Sequence, residues 1–168
     1  MSESTGSKAA ENGVGLEVSF TRTFDAPRKL VFKMWTDPKH LAQWWGPTGF
    51  TTPRCELDAR AGGAIRVDMR GPDGTIYPMG GEFREVVEPE RLVFVSAALD
   101  EAGKPMFENL NTVTFAEYAG KTTITLHTRV IRSTPEAMQY LSGMELGWKL
   151  TLDKLEAYAN RTAKAGGQ

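Results

Sequence analysis

Two histidines (His40 and His127), one cysteine (Cys55) and a few acids beside apolar residues are the groups here that could move a proton or attack an electrophile. They stand apart from one another. The chain has no G-x-S-x-G elbow, no glycine-rich phosphate loop and no cluster with metal-ligand spacing. His40 follows Lys39 and reads as a solvated residue of a short helix. His127 lies between Leu126 and Thr128 in an alternating run, so it should point away from Leu126, on an outer face. The alternative role, a general base, would need a paired carboxylate. Cys55, between Arg54 and Glu56, reads as a small half-buried hydrophobe rather than a nucleophile. No catalytic residue, metal or cofactor is therefore assigned.

The residue types fit a binding cavity better than a reaction centre. Trp44 and Trp45 precede Gly46-Pro47. Neighbours on a helix cannot face one way, so one is expected to staple the core and the other to rim a cavity mouth. Glu145 sits beside Met144 and three residues before Trp148. It is either a boundary acid or a cavity carboxylate, and in the cavity it would hold a ligand's hydroxyl or amine. Asn111 and Tyr140 are further polar anchors. Arg66, Asp68 and Arg70 alternate on one strand face and read as solvated.

Those residues need elements to position them. Leu16, Val18 and Phe20 alternate with polar residues, the period of a strand. Asp25-Ala26-Pro27 and Asp37-Pro38 then signal two short helix starts, with Asp25 as the first cap. Turn residues at 62–63, 71–74, 88–90, 103–105 and 119–121 divide the next stretch into strands near 51–59, 63–70, 77–87, 91–99, 109–118 and 121–132. Short connections predict an antiparallel meander. Ser133-Thr134-Pro135-Glu136 opens a helix expected to run to about Arg161, with an apolar stripe of Met138, Leu141, Met144, Trp148, Leu152, Leu155 and Tyr158.

The fold class expected is α+β: a curved antiparallel sheet of six or seven strands wrapped around a long C-terminal helix, with two short helices after the first strand. Gly143 and Gly147 thin that helix, and Gly80-Gly81 interrupts a strand, so a cavity between helix and sheet is expected. Its lining is predicted to draw on Trp44, Trp45, Ile65, Val67, Met69, Met79, Phe83, Phe94, Val113, Phe115, Leu126, Leu141, Met144, Glu145 and Trp148. A register slip of one residue would invert a strand's contribution.

Composition sets the outer bounds. The 168 residues suit one domain, expected over 16–161, with polar tails at 1–15 and 162–168. Lys plus Arg number 20 against 21 Asp plus Glu, which argues against nucleic acid as a partner. Residues 1–15 carry no signal-peptide pattern, and no apolar run approaches the ~18 residues of a membrane helix. A cytoplasmic location, with no membrane insertion and a monomer or weak homodimer, is the expectation.

Several strings carry a family resemblance. These are F-D-A-P-R-K-L-V-F-K-M-W-T-D-P-K-H-L-A-Q-W-W-G-P from Phe24, D-A-R-A-G-G at 58–63, M-R-G-P-D-G at 69–74, G-E-F-R-E-V at 81–86, P-E-R-L-V-F at 89–94 and G-M-E-L-G-W-K-L-T-L-D-K-L at 143–155. Together they resemble the heat-shock-protein-90 ATPase activator homologue-like family of the START-like, birch-allergen-like (SRPBCC) superfamily, over about residues 16–160. The resemblance implies the helix-grip fold. It also implies one of three functions: binding a small apolar or amphipathic molecule such as a lipid or aromatic compound, a cyclase or hydrolase acting on a polyketide-like substrate in the same cavity, or partnership with a chaperone ATPase. The first is the expectation carried forward.

Overall fold

The computed structural model describes residues 11–166. Strand β1 (Glu17–Phe24) is followed by helices α1 (Arg28–Thr36) and α2 (Pro38–Leu41). Six strands come next: β2 (Thr51–Leu57), β3 (Ala64–Arg70), β4 (Ile76–Val87), β5 (Arg91–Leu99), β6 (Pro105–Tyr118) and β7 (Lys121–Arg132). A 3-10 turn at Pro135–Ala137 leads into α3 (Met138–Leu141) and α4 (Met144–Gly166). All seven strands form one antiparallel sheet in the order β1-β7-β6-β5-β4-β3-β2. This is the helix-grip architecture the sequence predicts.

Alternation does most of the work. Along β7, Thr122, Ile124, Leu126, Thr128 and Val130 are buried while the residues between them are half-buried or exposed. The same period along β6 buries Asn109, Asn111, Val113 and Phe115. The open sheet has two edges. Edge strand β2 carries Pro53 and a register shift between Thr51 and Arg54, both of which discourage a further strand from pairing.

The inner face is covered by α1 and α4. Val31, Phe32, Met34 and Trp35 of α1 are buried, as are Trp148, Leu152, Leu155 and Ala159 of α4. Arg22, on the inner face of β1, ties α4 down: its Nη1 lies 2.9 Å from Asp153 Oδ1 and 3.4 Å from Glu156 Oε1.

Three local expectations differ from what is observed. Pro27, not Asp25, occupies the N-cap position of α1 and no side chain caps the helix there; the backbone N–H of Asp25 donates to Asn160 Oδ1. The helix expected over 134–161 is broken at Ser142-Gly143. Gly143 is a poor helix former, and the Ser142 hydroxyl bonds back to the Gln139 carbonyl, a contact that bends helices. The break sends Leu141 into a separate small cluster with Val130 and Ala137 and leaves Met138 exposed. Lastly, the expected tails lie partly outside the described residues. Within them, Glu11–Gly13 forms a 3-10 turn, Gly13 is buried, the Gly15 N–H bonds the Val130 carbonyl at 2.9 Å, and α4 continues to Gly166.

Leu155 is fully buried beneath α4, whereas Leu146 on the opposite side is 60% exposed. Leu155→Ala should therefore lower unfolding stability by about 3 kcal/mol, as core truncations do. Leu146→Ala should stay within about 0.5 kcal/mol of the parent. Urea denaturation of both variants checks the pair.

Candidate functional site

The covering layer is thick at one end and thin at the other. At the thick end four indoles form a closed ring of contacts. Trp35 meets Trp44 at 4.7 Å and Trp148 at 6.4 Å between ring centroids. Trp45 meets Trp44 at 5.6 Å and Trp148 at 5.5 Å. Trp44 is wholly buried, and its Nε1 donates to the Met34 carbonyl at 3.0 Å. The second short helix ends at Leu41, before the two tryptophans rather than at Gly46-Pro47, so helical spacing does not set their directions; both are buried, and Trp45 also borders open space.

That space is a cavity of about 320 Å³ between α4 and the sheet. Trp45, Gly46 and Pro47 wall one side, and Met69, Tyr77, Pro78 and Met79 come from β3 and β4. Ser96, Ala97, Ala98, Phe107 and Asn109 come from β5 and β6, and Tyr140, Gly143, Met144, Gly147, Trp148 and Thr151 close it from the helices. Small residues line both walls: Ser96 and Ala98 from the inner face of β5, Gly143 and Gly147 from the helices. A Cβ built on Gly147 meets nothing within 4 Å. Gly46 shapes the wall differently. Its φ of +94° suits glycine, and a Cβ there would come within 3.1 Å of Met69 Sδ. At Tyr77 and Tyr140 the cavity, itself open to solvent, adjoins a larger groove of about 640 Å³ whose lining includes Arg66, Asp68, Asp100 and Glu101.

Of the predicted lining, the structure brings Trp45, Met69, Met79, Met144 and Trp148 to the cavity. Ile65, Phe83 and Phe94 surround a separate apolar void of about 10 Å³, too small and too apolar to hold water. Trp44, Val67, Val113, Phe115 and Leu126 are solid core, and Leu141 sits in its own cluster beyond the helix break. Glu145 is exposed and does not line the cavity. Met144 and Trp148, four residues apart, share the inward face, while Glu145 lies about 100° round from Met144. As an acid in the first turn of α4, it favours the helix dipole. Gly80 and Gly81 do not line it either. Gly81 serves strand packing, because a Cβ there would run into the Val95 carbonyl.

The polar groups sort into a buried band on β5, β6 and β7. Asn111, fully buried, donates from Nδ2 to Ser96 Oγ at 2.9 Å and to the Phe94 carbonyl at 3.2 Å, and its Oδ1 accepts from Thr128 Oγ1 at 2.6 Å. The expected anchor is thus spent on joining strands. Asn109, two residues earlier on the same face, lines the cavity and was missed by sequence reasoning, as were Tyr77, Ser96 and Thr151. Asn109 is 7% exposed, its Nδ2 points at Met144 Sδ at 3.9 Å, and its Oδ1 has no partner. An unpartnered buried acceptor costs about 1–3 kcal/mol. Period-two alternation from Asn111 was the signal that could have found it.

The remaining titratable candidates lie elsewhere. His127 faces outward and pairs with Glu17 on the neighbouring strand. His40, expected in solvent, is half-buried, with Nδ1 2.7 Å from the Tyr158 hydroxyl. Arg66 and Asp68 pair at 3.2 Å on the outer face. Cys55 is half-buried against the core, and burial, with smaller contributions from Asp37 and Glu56, pushes its thiol up to about 11. Among the described residues, no group of three or more His, Cys, Asp or Glu is placed to hold a metal, and no helix is long and apolar enough to cross a membrane.

A curved seven-stranded sheet around a helix, with a cavity under that helix, defines a START-like helix-grip protein. Within that class, residues 25–160 match the family model described as Activator of Hsp90 ATPase homolog 1-like protein, and the chain belongs to this family. Solved structures agree. A protein of Chromobacterium violaceum is similar with a TM-score of 0.72 and 28% identity, over 86% of this chain and 96% of that one. One from Arthrobacter aurescens gives 0.77 and 27%, over 88% and 87%. The AHSA1 protein of Silicibacter pomeroyi gives 0.72 and 25%, over 84% and 96%. No curated protein sequence matches this chain.

The thiol of Cys55 should be inert. With its pKa at about 11, its thiolate fraction at pH 8 is about a hundredfold below that of an ordinary cysteine. Alkylation of the folded protein by iodoacetamide at pH 8 should be slower than that of free cysteine by about tenfold or more, since the greater nucleophilicity of a high-pKa thiolate recovers part of the loss. Mass spectrometry over time reads the rate.

Proposed function

We propose that this protein is a non-catalytic, cytoplasmic binder of a small apolar or amphipathic molecule, held between α4 and the sheet. The observation that carries this reading is the cavity of about 320 Å³ under the helix, whose lining contains no charged side chain and no histidine. Such a wall favours burial of an aromatic or lipid-like body. It offers no acid–base pair, so binding is favoured over cyclase or hydrolase chemistry in the same space. Trp45 and Trp148 supply flat apolar contact, and Met69, Met79 and Met144 adapt to the ligand's shape.

Gly147 gives a direct test, because a side chain added there enters open space. Gly147→Leu should fill the cavity and weaken binding of the neutral dye N-phenyl-1-naphthylamine by about tenfold or more. Its melting temperature should hold or rise, since glycine is the weaker helix former by about 1 kcal/mol. Native mass spectrometry of freshly purified parent protein should show a co-purified small molecule that Gly147→Leu lacks. Equal dye affinity in parent and variant would refute the reading. The family's description supports a second one, docking on a heat-shock ATPase. Stimulation of such an ATPase by both parent and Gly147→Leu, with no dye bound by either, would favour it.

A further inference from the structure

The sheet divides at one end, and the cavity opens there. Strands β4 and β5 pair from Val87 opposite Arg91 to Met79 opposite Ala98. Beyond that point β4 pairs only with β3, as Pro78 with Asp68, and β5 only with β6, as Leu99 with Pro105. Pro78 holds the next position of the β4–β5 register and has no N–H to extend the ladder. The β3–β4 and β5–β6 hairpins diverge, and the groove of about 640 Å³ lies between them. Met69, Tyr77, Pro78, Ala98, Phe107 and Tyr140 line both groove and cavity, so the two spaces share a seam. Tyr77 is half-buried there and Tyr140 is 41% exposed. Each has an apolar ring and a polar tip, the residue type suited to a border between apolar and wet surroundings.

The chemistry changes across that seam. The cavity lining carries no charge, whereas the groove lining includes Arg66, Asp68, Asp100 and Glu101. Its one cation is already paired, with Arg66 Nε 3.2 Å from Asp68 Oδ1. Asp100 and Glu101 remain, with no second cation in the lining. At about 320 Å³ the cavity alone is at the small end of ligand sites, which run from about 300 to 1,000 Å³. We propose that the ligand is an amphiphile held half-in: its apolar chain lies under α4 against Trp45, Met144 and Trp148, and its head, neutral or cationic, lies in the groove between the hairpins. This rests on the cavity being the binding site and adds where the ligand's polar end sits and what charge it carries. A head in the groove keeps its water, so no polar group of the ligand is buried without a partner. An anionic head would meet Asp100 and Glu101 with no free cation to offset them. A cationic head is favoured, by a modest factor because the groove is wet.

The test uses four ten-carbon probes below their micellar concentrations: decanol, decyl maltoside, decyltrimethylammonium and decanoate. Each is measured by displacement of N-phenyl-1-naphthylamine at pH 7 from parent, Gly147→Leu and Glu101→Lys, with dye affinity calibrated for each protein. Decyl maltoside should bind the parent within about tenfold of decanol, because its bulky head stays hydrated outside the cavity. Gly147→Leu should weaken decanol and decyltrimethylammonium alike, since both chains occupy the same space. The ratio of the decanoate dissociation constant to that of decyltrimethylammonium should fall about fourfold in Glu101→Lys, and the change should shrink at high salt. Glu101 is exposed in the hairpin turn, so this substitution spares the fold. Decanol binding with decyl maltoside excluded would mean a ligand enclosed whole, which overturns this inference and leaves the cavity reading standing. So does a head-group ratio equal in parent and Glu101→Lys at low salt. If neither the dye nor decanol binds the parent, or if Gly147→Leu changes neither, the cavity reading fails and this inference with it.

Discussion

Trp148 touches Trp35 on one side and Trp45 on the other, and these two contacts determine where α4 sits over the sheet. Below that point Leu152, Leu155 and Ala159 pack down to zero exposure. Above it the chain reaches Gly147 and Gly143 and then bends away. The indole cluster acts as a fulcrum. It is large enough to hold the helix at a fixed height over the sheet, and it sits off-centre. What lies to one side becomes core, and what lies to the other side becomes the cavity. Without a bulky residue at 148, the glycine-bearing turns would be free to settle onto Ser96 and Ala98 and close the space.

A division of polar labour accompanies this division of bulk. Asn111 satisfies every group it brings, by linking Phe94, Ser96 and Thr128 across three strands. Such a network holds the curvature and register of β5, β6 and β7 at the depth where the sheet bends round the helix. Asn109, of the same residue type and on the same face, lies beyond the tryptophans and finds only a methionine sulfur. Two identical side chains thus do different things because one lies under packed protein and the other borders open space.

Much of this was legible in the sequence. Strand limits agree to within a few residues, because alternation and turn chemistry are local properties written over short windows. The grip of helix on sheet followed from a single long amphipathic segment facing a single meander. The helix break was not foreseen. In the sequence Gly143 and Gly147 read as a thinning of one helix, and only the docking of Gly13, Val130 and Ala137 around Leu141 shows why the preceding turn stands apart. The Gly143–Gly147 pair did point to the cavity. Its far wall, with Ser96 and Ala98, does not stand out in the sequence, since small residues in a strand have no meaning until the register shows what faces them. Glu145 carries charge beside an apolar stripe, but a stripe edge near a helix end is open to solvent, and the polar residues that line the cavity are uncharged.

The position of β1 has a consequence for how the chain reaches this state. Strands β2 to β7 each lie beside their predecessor in sequence, as successive hairpins. Strand β1 comes first in the chain yet pairs only with β7, so that Thr21 lies opposite Thr125. During synthesis β1 emerges well before its sole partner, with the Trp35 and Trp44 region following it uncovered. Closing so long a loop is slow relative to forming the local hairpins, and α4 cannot dock on β1 until it is done. The nascent protein therefore holds an exposed aromatic layer for most of its synthesis, and the cavity is among the last features to take shape.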